Sequence, residues 1–231
     1  MEHHCRLRAV DLGSRSRGAL FLSEMPGRYA PLASYEAAWR ACGITRIVCL
    51  AQLETEVLPK SPEYALKLQR RRLGPQARYF PIPNCGVPAE LDAFAALIRD
   101  IICWLQHDEF VLLHCGAGIG RTGTVAACVL IALGYAPHEA LRRVEEAGSH
   151  PEVYAQRAFI TTFAAYWKQY PSVPESTELS SDDHVVPAHR PASRLGQIFA
   201  RVSPRRLARL IATEHASTYQ RRKQSASVSQ H

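Results

Sequence analysis

The sequence of this 231-residue chain predicts an α/β domain with helices on both faces of a sheet. Two observations predict it. Short apolar runs rich in β-branched residues alternate with longer segments whose apolar residues recur at helical spacing. One such run leads straight into a glycine-rich loop and then into a helix, an order typical of α/β proteins that bind anions. Hydrophobic residues make up 47% of the chain, which is enough for a substantial core.

The first half of the chain is predicted to form three strands and two helices. The strands are short apolar runs, most of them closed by proline or glycine turns, and they cover residues 19–22, 45–50 and 78–82. The first helix is predicted to be capped by Ser34 and to run to Cys42, where Gly43 suits a left-handed end. The second begins at the Ser61–Pro62 pair and runs to about residue 72.

The second half is predicted to be mostly helical. Residues 88–107 carry apolar side chains at helical spacing and form a predicted amphipathic helix, and residues 110–113 form a strand. Residues 121–133 are apolar nearly all round, so this helix is predicted to lie at the centre of the domain. Two further helices are expected over residues 137–147 and 154–170.

A change in composition near residue 170 predicts the end of the folded domain, so we expect one domain over residues 1–171. Residues 172–191 are rich in Pro, Ser and Asp and are predicted to be a linker. Residues 192–231 are predicted to be a basic, amphipathic helical tail that is partly disordered.

The tail holds most of the charge of the chain. Between Arg190 and Lys223, nine basic residues stand against one acid, Glu214, which gives +8 in a chain of net charge +7. Such a segment favours an anionic membrane or an acidic partner, with nucleic acid less favoured, or it is simply a solvated extension.

The cysteines predict a reducing environment. There are seven, an odd number, and none lies in a Cys-x-x-Cys pair or a Cys/His cluster, so no structural metal is expected. The polar start of the chain does not resemble a secretory signal, and no apolar run reaches the roughly 18 residues of a membrane span. We therefore expect free thiols and a cytoplasmic location.

One run dominates the functional interpretation: His-Cys-Gly-Ala-Gly-Ile-Gly-Arg-Thr-Gly, over residues 114–123. It places Cys115 six residues before Arg121, with three glycines between them. The backbone N–H groups of such a turn converge at a helix N-terminus and can hold a phosphate. Arg121 can add a planar, two-pronged contact to two phosphoryl oxygens. A glycine-rich turn around a structural cysteine is the less favoured alternative.

A cysteine in this position is interpreted as a nucleophile, because the positive field of the loop stabilises the thiolate. Cys115 would attack phosphorus and form a phosphocysteine. Thr122 is predicted to donate a hydrogen bond to the sulfur, and His114 to face inward and brace loop carbonyls. The phosphate would be held by the residues of the loop, which are Gly116, Ala117, Gly118, Ile119, Gly120 and Arg121.

The pattern His-Cys-x5-Arg-Thr resembles the signature of the protein tyrosine phosphatases. The small domain, the Met-Pro-Gly-Arg segment at residues 25–28 and the order of elements are most similar to the compact atypical dual-specificity phosphatases, over roughly residues 18–170. The resemblance implies a mostly parallel sheet of about five strands flanked by helices, hydrolysis of phosphate esters, and no metal or other cofactor.

The chain departs from that family at the position of the general acid. In such phosphatases an aspartate in a Pro-Ile-Pro-Asp stretch protonates the leaving oxygen, whereas the matching residue here is Asn84. An amide cannot donate that proton, and general acid catalysis is typically worth ~10²–10⁴-fold in rate. Three interpretations are open. Glu90 or Asp92 replaces the acid, or the enzyme works without one on phenolic leaving groups, or the chain binds phosphate esters and hydrolyses them poorly.

We therefore expect a cytoplasmic cysteine-dependent phosphatase that acts on phosphotyrosine in proteins, with phosphoserine and phosphothreonine as further substrates. The alternatives are a catalytically weak phosphate-ester binder and an inositol phosphate or phosphoinositide phosphatase. The last is less favoured because the loop between Cys115 and Arg121 has no lysine to meet extra phosphates. Gln156 matches a glutamine often found in these phosphatases, but an ordinary exposed helix residue is the favoured interpretation.

Overall fold

Residues 7–169 are described by the structure, a computed structural model, and their strands form one five-stranded sheet. The strand order is β1-β2-β5-β3-β4, with β1 antiparallel to β2 and the other neighbours parallel. The predicted α/β class with about five mostly parallel strands is confirmed. The strands are β1 Arg8–Val10, β2 Ala19–Ser23, β3 Arg46–Cys49, β4 Gln76–Tyr79 and β5 Phe110–His114.

Seven α-helices and one π-helical turn accompany the sheet within residues 7–169. The π-helical turn, Leu53–Val57, lies directly before α2. No helix in this part of the chain has the length and apolar character needed to cross a membrane. The helices are α1 Leu32–Cys42, α2 Leu58–Lys60, α3 Pro62–Gln69, α4 Leu91–Gln106, α5 Gly120–Ala132, α6 Pro137–Glu146 and α7 Tyr154–Gln169.

Alternate residues of the central strands contribute side chains to two separate apolar cores, because side chains along a strand point to opposite faces of the sheet. Leu20, Leu22 and Leu113 pack on the face that α4, α5, α6 and α7 cover. Phe21 and Leu112 pack on the other face, against α1 and α3. The central position predicted for α5 is confirmed, since all but one of its thirteen residues are buried.

Several boundaries differ from the prediction. The first helix begins at Leu32, with Pro31 in the capping position, so Ser34 is not its cap. β4 begins at Gln76 because it pairs with β3 from Arg46 onward, and all four of its residues are exposed, so no apolar pattern marks this edge strand. β1 and the π-helical turn were not predicted. The predicted linker and tail, residues 172–231, lie outside the described residues.

The parallel strands bring four chain segments to one edge of the sheet. Since β2, β3, β4 and β5 run in the same direction, the residues that follow them meet at their carboxyl ends, where α/β proteins bind their ligands. Those segments cover residues 24–28, 50–56, 80–86 and 115–121, and the last is the predicted phosphate loop.

Candidate active site

The sulfur of Cys115 lies at the base of the phosphate loop, which we define as residues 115–121. Cys115 follows β5 directly and is 3% exposed, and its Sγ accepts a hydrogen bond from the backbone N–H of Gly118 at 3.3 Å. Gly118 has a φ of 73°, and a Cβ atom there would lie 2.3 Å from the backbone oxygen of Ser23. Only glycine fits this position, so the close approach of the loop to the end of β2 depends on it.

The carbonyl groups of the loop are bound from outside. The backbone N–H of Met25 donates to the oxygen of Gly116 at 3.2 Å. The oxygen of Gly118 accepts from the Ser149 hydroxyl at 2.7 Å and from the Arg8 guanidinium. The C=O and N–H of one trans peptide unit point in opposite directions, so these contacts aim the intervening N–H groups into the loop. The N–H groups that share a peptide unit with these two oxygens are those of Ala117 and Ile119, which belong to the predicted phosphate-binding residues.

Arg121 is fixed by a buried carboxylate that the sequence analysis did not identify. Its Nη1 and Nη2 donate to the two carboxylate oxygens of Glu56 at 2.6 and 2.7 Å, and the two side chains are 3% and 8% exposed. Burial raises the pKa of Glu56, but the hydrogen bonds from Arg121 outweigh it and hold that pKa below its usual range. Burial also lowers the pKa of Arg121, and its bonds to Glu56 reverse the effect, so both groups stay charged.

The π-helical turn places Glu56 at this point. Its carboxylate also accepts a hydrogen bond from the backbone N–H of Gln52 at 3.1 Å, so the side chain is bonded to the residue that begins its own turn. Turns of this kind recur at functional sites. The sequence did offer a signal for this residue, because acids that closely follow a strand lie at the carboxyl edge of the sheet. Two such acids occur here, Glu54 and Glu56, and the sequence alone does not tell which of them binds Arg121.

Asn84 lies beside Arg121, at the place predicted for the missing acid. Its Oδ1 accepts from Nη2 of Arg121 at 3.1 Å, and Nη1 also donates to the Ile82 oxygen at 2.9 Å. Both terminal nitrogens of the guanidinium thus use both of their hydrogens on protein oxygens. A two-pronged contact to phosphate through Nε and Nη2 therefore competes with Asn84.

Gln156 is not the exposed helix residue that we favoured from the sequence. It is fully buried, because the first turn of α7 lies against the tight turn at residues 83–86. Its Nε2 donates to the oxygen of Gly86 at 3.2 Å, and its Oε1 accepts the backbone N–H of Glu152 at 2.8 Å. The side chain therefore joins the turn that carries Asn84 to the segment before α7.

Two glycines of the loop bring further side chains to the site. A Cβ atom on Gly120 would lie 2.1 Å from Oε2 of Glu152. A Cβ atom on Gly116 would lie 3.3 Å from both Nη2 of Arg121 and Nη1 of Arg28. Glu152 and Arg28 therefore border the loop. Neither was identified from the sequence, which gives no measure of how residues distant in the chain approach a glycine.

The two residues that flank the nucleophile behave differently. His114 is buried, and its Nδ1 lies 3.3 Å from the oxygen of Cys115, so this nitrogen carries the proton and Nε2 accepts from the Tyr64 hydroxyl at 2.6 Å. Burial lowers the pKa of His114 to about 4, so the ring is neutral. The Oγ1 of Thr122 is buried and makes no hydrogen bond to any described residue, so the predicted bond to the sulfur is absent here.

The acids predicted on α4 lie elsewhere. Asp92 accepts a hydrogen bond from the Tyr166 hydroxyl. Tyr166 is ten residues beyond Gln156 on α7, about 15 Å along the helix at 1.5 Å per residue. The structure therefore does not bring Asp92 to the phosphate loop. Glu90 is exposed at the start of α4, and among residues 7–169 nothing bonds to its carboxylate.

Comparisons with known proteins agree with this geometry. The profile of the family PTP-SAK, described as "Swiss Army Knife protein, DSP-PTPase phosphatase domain", matches residues 29–168, more than half of the chain. The chain belongs to this family. It therefore carries a phosphatase domain of the dual-specificity type, as the resemblance implied. Within residues 7–169, no group of three or more His, Cys, Asp or Glu side chains is placed to hold a metal ion.

Solved structures show the same fold. Kinase associated phosphatase, with its catalytic-site cysteine replaced by serine, superposes with a TM-score of 0.64 at 19% identity, over 74% of this chain and 99% of the other. The active form of Tk-PTP gives a TM-score of 0.53 at 24% identity, over 68% and 97%. PTPMT1 gives 0.53 at 17% identity, over 70% and 96%.

Proposed function

We propose that this phosphatase domain hydrolyses phosphate monoesters through a phosphocysteine on Cys115, with phosphotyrosine in proteins as its substrate class. The observation that carries the proposal is the loop itself. The N–H of Gly118 donates to Sγ, and Glu56 holds the Arg121 guanidinium beside the loop. These groups match what transfer of a phosphoryl group requires, namely a nucleophile below the phosphate and fixed donors around its oxygens.

In the proposed reaction the Cys115 thiolate attacks phosphorus in line, so that an S–P bond forms and the bond to the leaving oxygen breaks. Loop N–H groups and Arg121 hold the equatorial oxygens. Water then attacks the phosphocysteine, the S–P bond breaks, and inorganic phosphate and the thiolate are released. The hydrogen bond that Arg121 donates to Asn84 is exchanged for a bond to phosphate when substrate binds.

The proposed preference for phosphotyrosine rests on its leaving group, which depends less on a proton donor than the leaving groups of phosphoserine and phosphothreonine do. The phenol of tyrosine, with a pKa of ~10, leaves far more readily than the alkoxide of serine or threonine. We therefore expect turnover of phosphoserine and phosphothreonine peptides to be slower than that of matched phosphotyrosine peptides.

The test is a steady-state assay of the full chain with an aryl phosphate and with matched phosphotyrosine and phosphoserine peptides. Cys115→Ser should lose turnover and keep binding, while Cys103→Ser, an exposed cysteine on α4, should keep both. The proposal fails if the parent releases no phosphate from any of these substrates. If such a parent still binds the phosphotyrosine peptide, the chain is the phosphate-ester binder that the sequence analysis left open.

A second candidate, a substrate with another anionic group next to the reacting phosphate, is favoured by Arg28. Its Nη1 lies 3.3 Å from where a Cβ on Gly116 would be, and within residues 7–169 its guanidinium forms no ion pair. It lies 4.6 Å from the centre of the Tyr29 ring, which is 48% exposed. This arginine supplies the second cation that the loop sequence lacks. PTPMT1 has been solved in complex with PI(5)P, at 16% identity to this chain.

Arg28→Met tests this candidate against Arg17→Met, an exposed arginine whose nearest carboxylate is 4.0 Å away. If Arg28 reads a second anion, its loss lowers kcat/KM for inositol bisphosphates or phosphoinositides more than for an aryl monophosphate. Equal losses on both kinds of substrate would assign Arg28 to the reacting phosphate alone.

The cytoplasmic setting and the partner of the basic tail also belong to this proposal. Residues 190–223 lie outside the described part of the chain, so their sequence alone supports an anionic membrane or an acidic partner. Co-sedimentation with anionic and neutral vesicles, with and without residues 172–231, tests the membrane. No difference between the two vesicle types would remove it.

A further inference from the structure

A phosphatase of this type needs a proton donor for its leaving group unless that group leaves unaided, and the residues expected to provide it do not. Asn84 carries an amide, Asp92 is bonded to Tyr166, and the carboxylate of Glu90 forms no hydrogen bond or ion pair within residues 7–169. A carboxylate that does border the loop comes from a different element. It is Glu152, in the segment between α6 and α7.

The contact of Glu152 with Gly120 is close. Gly120 is the last residue of the loop before Arg121 and the first residue of α5. The Cβ of any other residue at position 120 would lie 2.1 Å from Oε2 and 3.0 Å from Cδ of Glu152. The absence of a side chain on Gly120 is therefore what allows the carboxylate to reach the rim of the phosphate site.

Gln156 fixes the backbone of Glu152 on the side of the loop where the family's acid normally lies. One end of this buried amide accepts the N–H of Glu152, and the other end donates to the oxygen of Gly86, two residues beyond Asn84. The same Oε1 would lie 3.1 Å from a Cβ on Gly120. Glu152, the 83–86 turn and the end of the loop are thus all within one side chain's reach of each other.

Glu152 is exposed, and within residues 7–169 its carboxylate forms no ion pair. The charged and titratable groups on the elements around it include the arginines Arg8, Arg121 and Arg157, the acids Glu145 and Glu146, and also Cys85, Cys115, His150 and Tyr154.

We propose that Glu152 is the general acid and then the general base of this enzyme, a role that rests on the proposed phosphatase function. In the first step the S–P bond forms, the bond from phosphorus to the leaving oxygen breaks, and the Glu152 carboxyl gives its proton to that oxygen. In the second step the Glu152 carboxylate takes a proton from water. The water oxygen then bonds to phosphorus, the S–P bond breaks, and the Cys115 thiolate and inorganic phosphate are released.

The test compares Glu152→Gln with the parent over a series of aryl phosphates whose phenols differ in pKa. The amide keeps the shape of the side chain and loses the proton. Among these substrates phenyl phosphate releases a poor leaving group. With it, kcat of Glu152→Gln should fall by ~10²–10⁴-fold, and the alkaline limb of the pH profile of kcat should disappear. For aryl phosphates with good leaving groups the loss should be much smaller. Glu145→Gln, which changes an exposed acid on α6, should behave as the parent.

The double variant Asn84→Asp/Glu152→Gln places an acid back in the family's usual position. Part of the kcat lost for phenyl phosphate should return, together with an alkaline limb. The inference is overturned if Glu152→Gln keeps the limb and stays within about threefold of the parent on every leaving group. With that result the parent protein would still be a phosphatase, with a general acid other than Glu152 or with none. Only a parent that fails on every phosphate ester would remove the proposed function as well.

Discussion

Two carboxylates border the phosphate loop, and their surroundings are opposite. Glu56 lies below the loop, 8% exposed, with both oxygens bound by Arg121. Glu152 lies at the rim, exposed, and is held only through its backbone by Gln156. The first is charged at every pH near neutrality because an arginine holds its pKa low. The second has no such partner among residues 7–169.

The difference teaches that residue type alone does not assign a role in this site. We call the phosphate loop together with Glu56 and His114 the floor of the site. Its charges and hydrogen bonds are fixed by buried partners. The rim, formed by the 83–86 turn and residues 150–156, holds groups that can exchange partners or protons. The same separation of two carboxylates by environment occurs in enzymes where one acid is permanently charged and the other carries the proton.

The largest expected effect comes from breaking the floor. Arg121→Lys keeps the charge but loses the planar fork, so the side chain cannot bind Glu56 with both ends and also reach the phosphate. We expect kcat/KM for an aryl phosphate to fall by ~10²–10³-fold, the cost typical of losing one fixed donor to the transition state.

Arg142→Lys is the matched control, because Arg142 also pairs with glutamates but lies on the exposed face of α6. It should leave kcat/KM unchanged. A loss of less than tenfold in Arg121→Lys would mean that a point charge serves as well as the planar fork, and the orientation that Glu56 imposes would then have no catalytic importance.

The phosphate loop could be predicted from the sequence because its residues are contiguous. Cys115, Arg121 and the glycines between them lie in a single strand-loop-helix unit, so local spacing determines their arrangement. The position of Asn84 followed from its Pro-Ile-Pro context in the same way. The class of the fold followed from the alternation of apolar strands and amphipathic helices.

The partners of the loop, and the approach of residues 150–156 to it, could not be predicted, because they depend on contacts between distant parts of the chain. Arg8 reaches Gly118 over a separation of 110 residues, and Glu56 reaches Arg121 over 65. Gln156 was expected to be exposed because an isolated glutamine at the start of a helix usually is. Only the packing of α7 against the 83–86 turn shows that it is buried.

A second prediction tests whether the stability of the floor depends on His114 being neutral. The pKa of His114 is lowered to about 4 by burial, while the unfolded chain binds a proton near the ordinary value of 6.5. Between these values the unfolded state holds more protons, so stability is complete above about pH 6.5 and decreases as the pH falls toward 4. The shift corresponds to about 3 kcal/mol in the free energy of unfolding.

Urea unfolding between about pH 7 and pH 4.5 measures this loss. His114→Gln removes the titration, so its stability should vary less over the same range, whatever its value at neutral pH. His138→Gln, an exposed residue on α6, should keep the slope of the parent. Identical slopes in all three proteins would place the pH dependence outside the floor.

A third prediction joins the rim to the floor. Gly120→Ala puts a Cβ where Oε2 of Glu152 now lies, 2.1 Å away, so the carboxylate must move aside. Its side chain is flexible and the fold should be kept, but kcat for phenyl phosphate should fall about tenfold, since misplacement by 1 Å can cost ~10²-fold.

The cycle of Gly120→Ala, Glu152→Gln and their combination checks the cause. If the alanine acts by displacing Glu152, it should have little further effect once the carboxylate is gone. Equal losses in the two backgrounds would show that the alanine perturbs the loop or Gln156 instead, and the close contact would then carry no catalytic meaning.

The smallest effect is expected for the two acids at the start of α4, which tests whether the proton donor lies at the rim or on that helix. Asp92→Asn and Glu90→Gln each remove an acid that the sequence made a candidate and the structure leaves away from the loop. We expect kcat for phenyl phosphate within about twofold of the parent and an unchanged alkaline limb in both variants, because neither group reaches the leaving oxygen. The hydrogen bond from Tyr166 holds Asp92 at the other end of α7, so for it to serve as the acid this bond would have to break and α4 to shift. Loss of the alkaline limb in Asp92→Asn would therefore show that the active form differs from this arrangement at α4, and the assignment of the proton to Glu152 would be wrong.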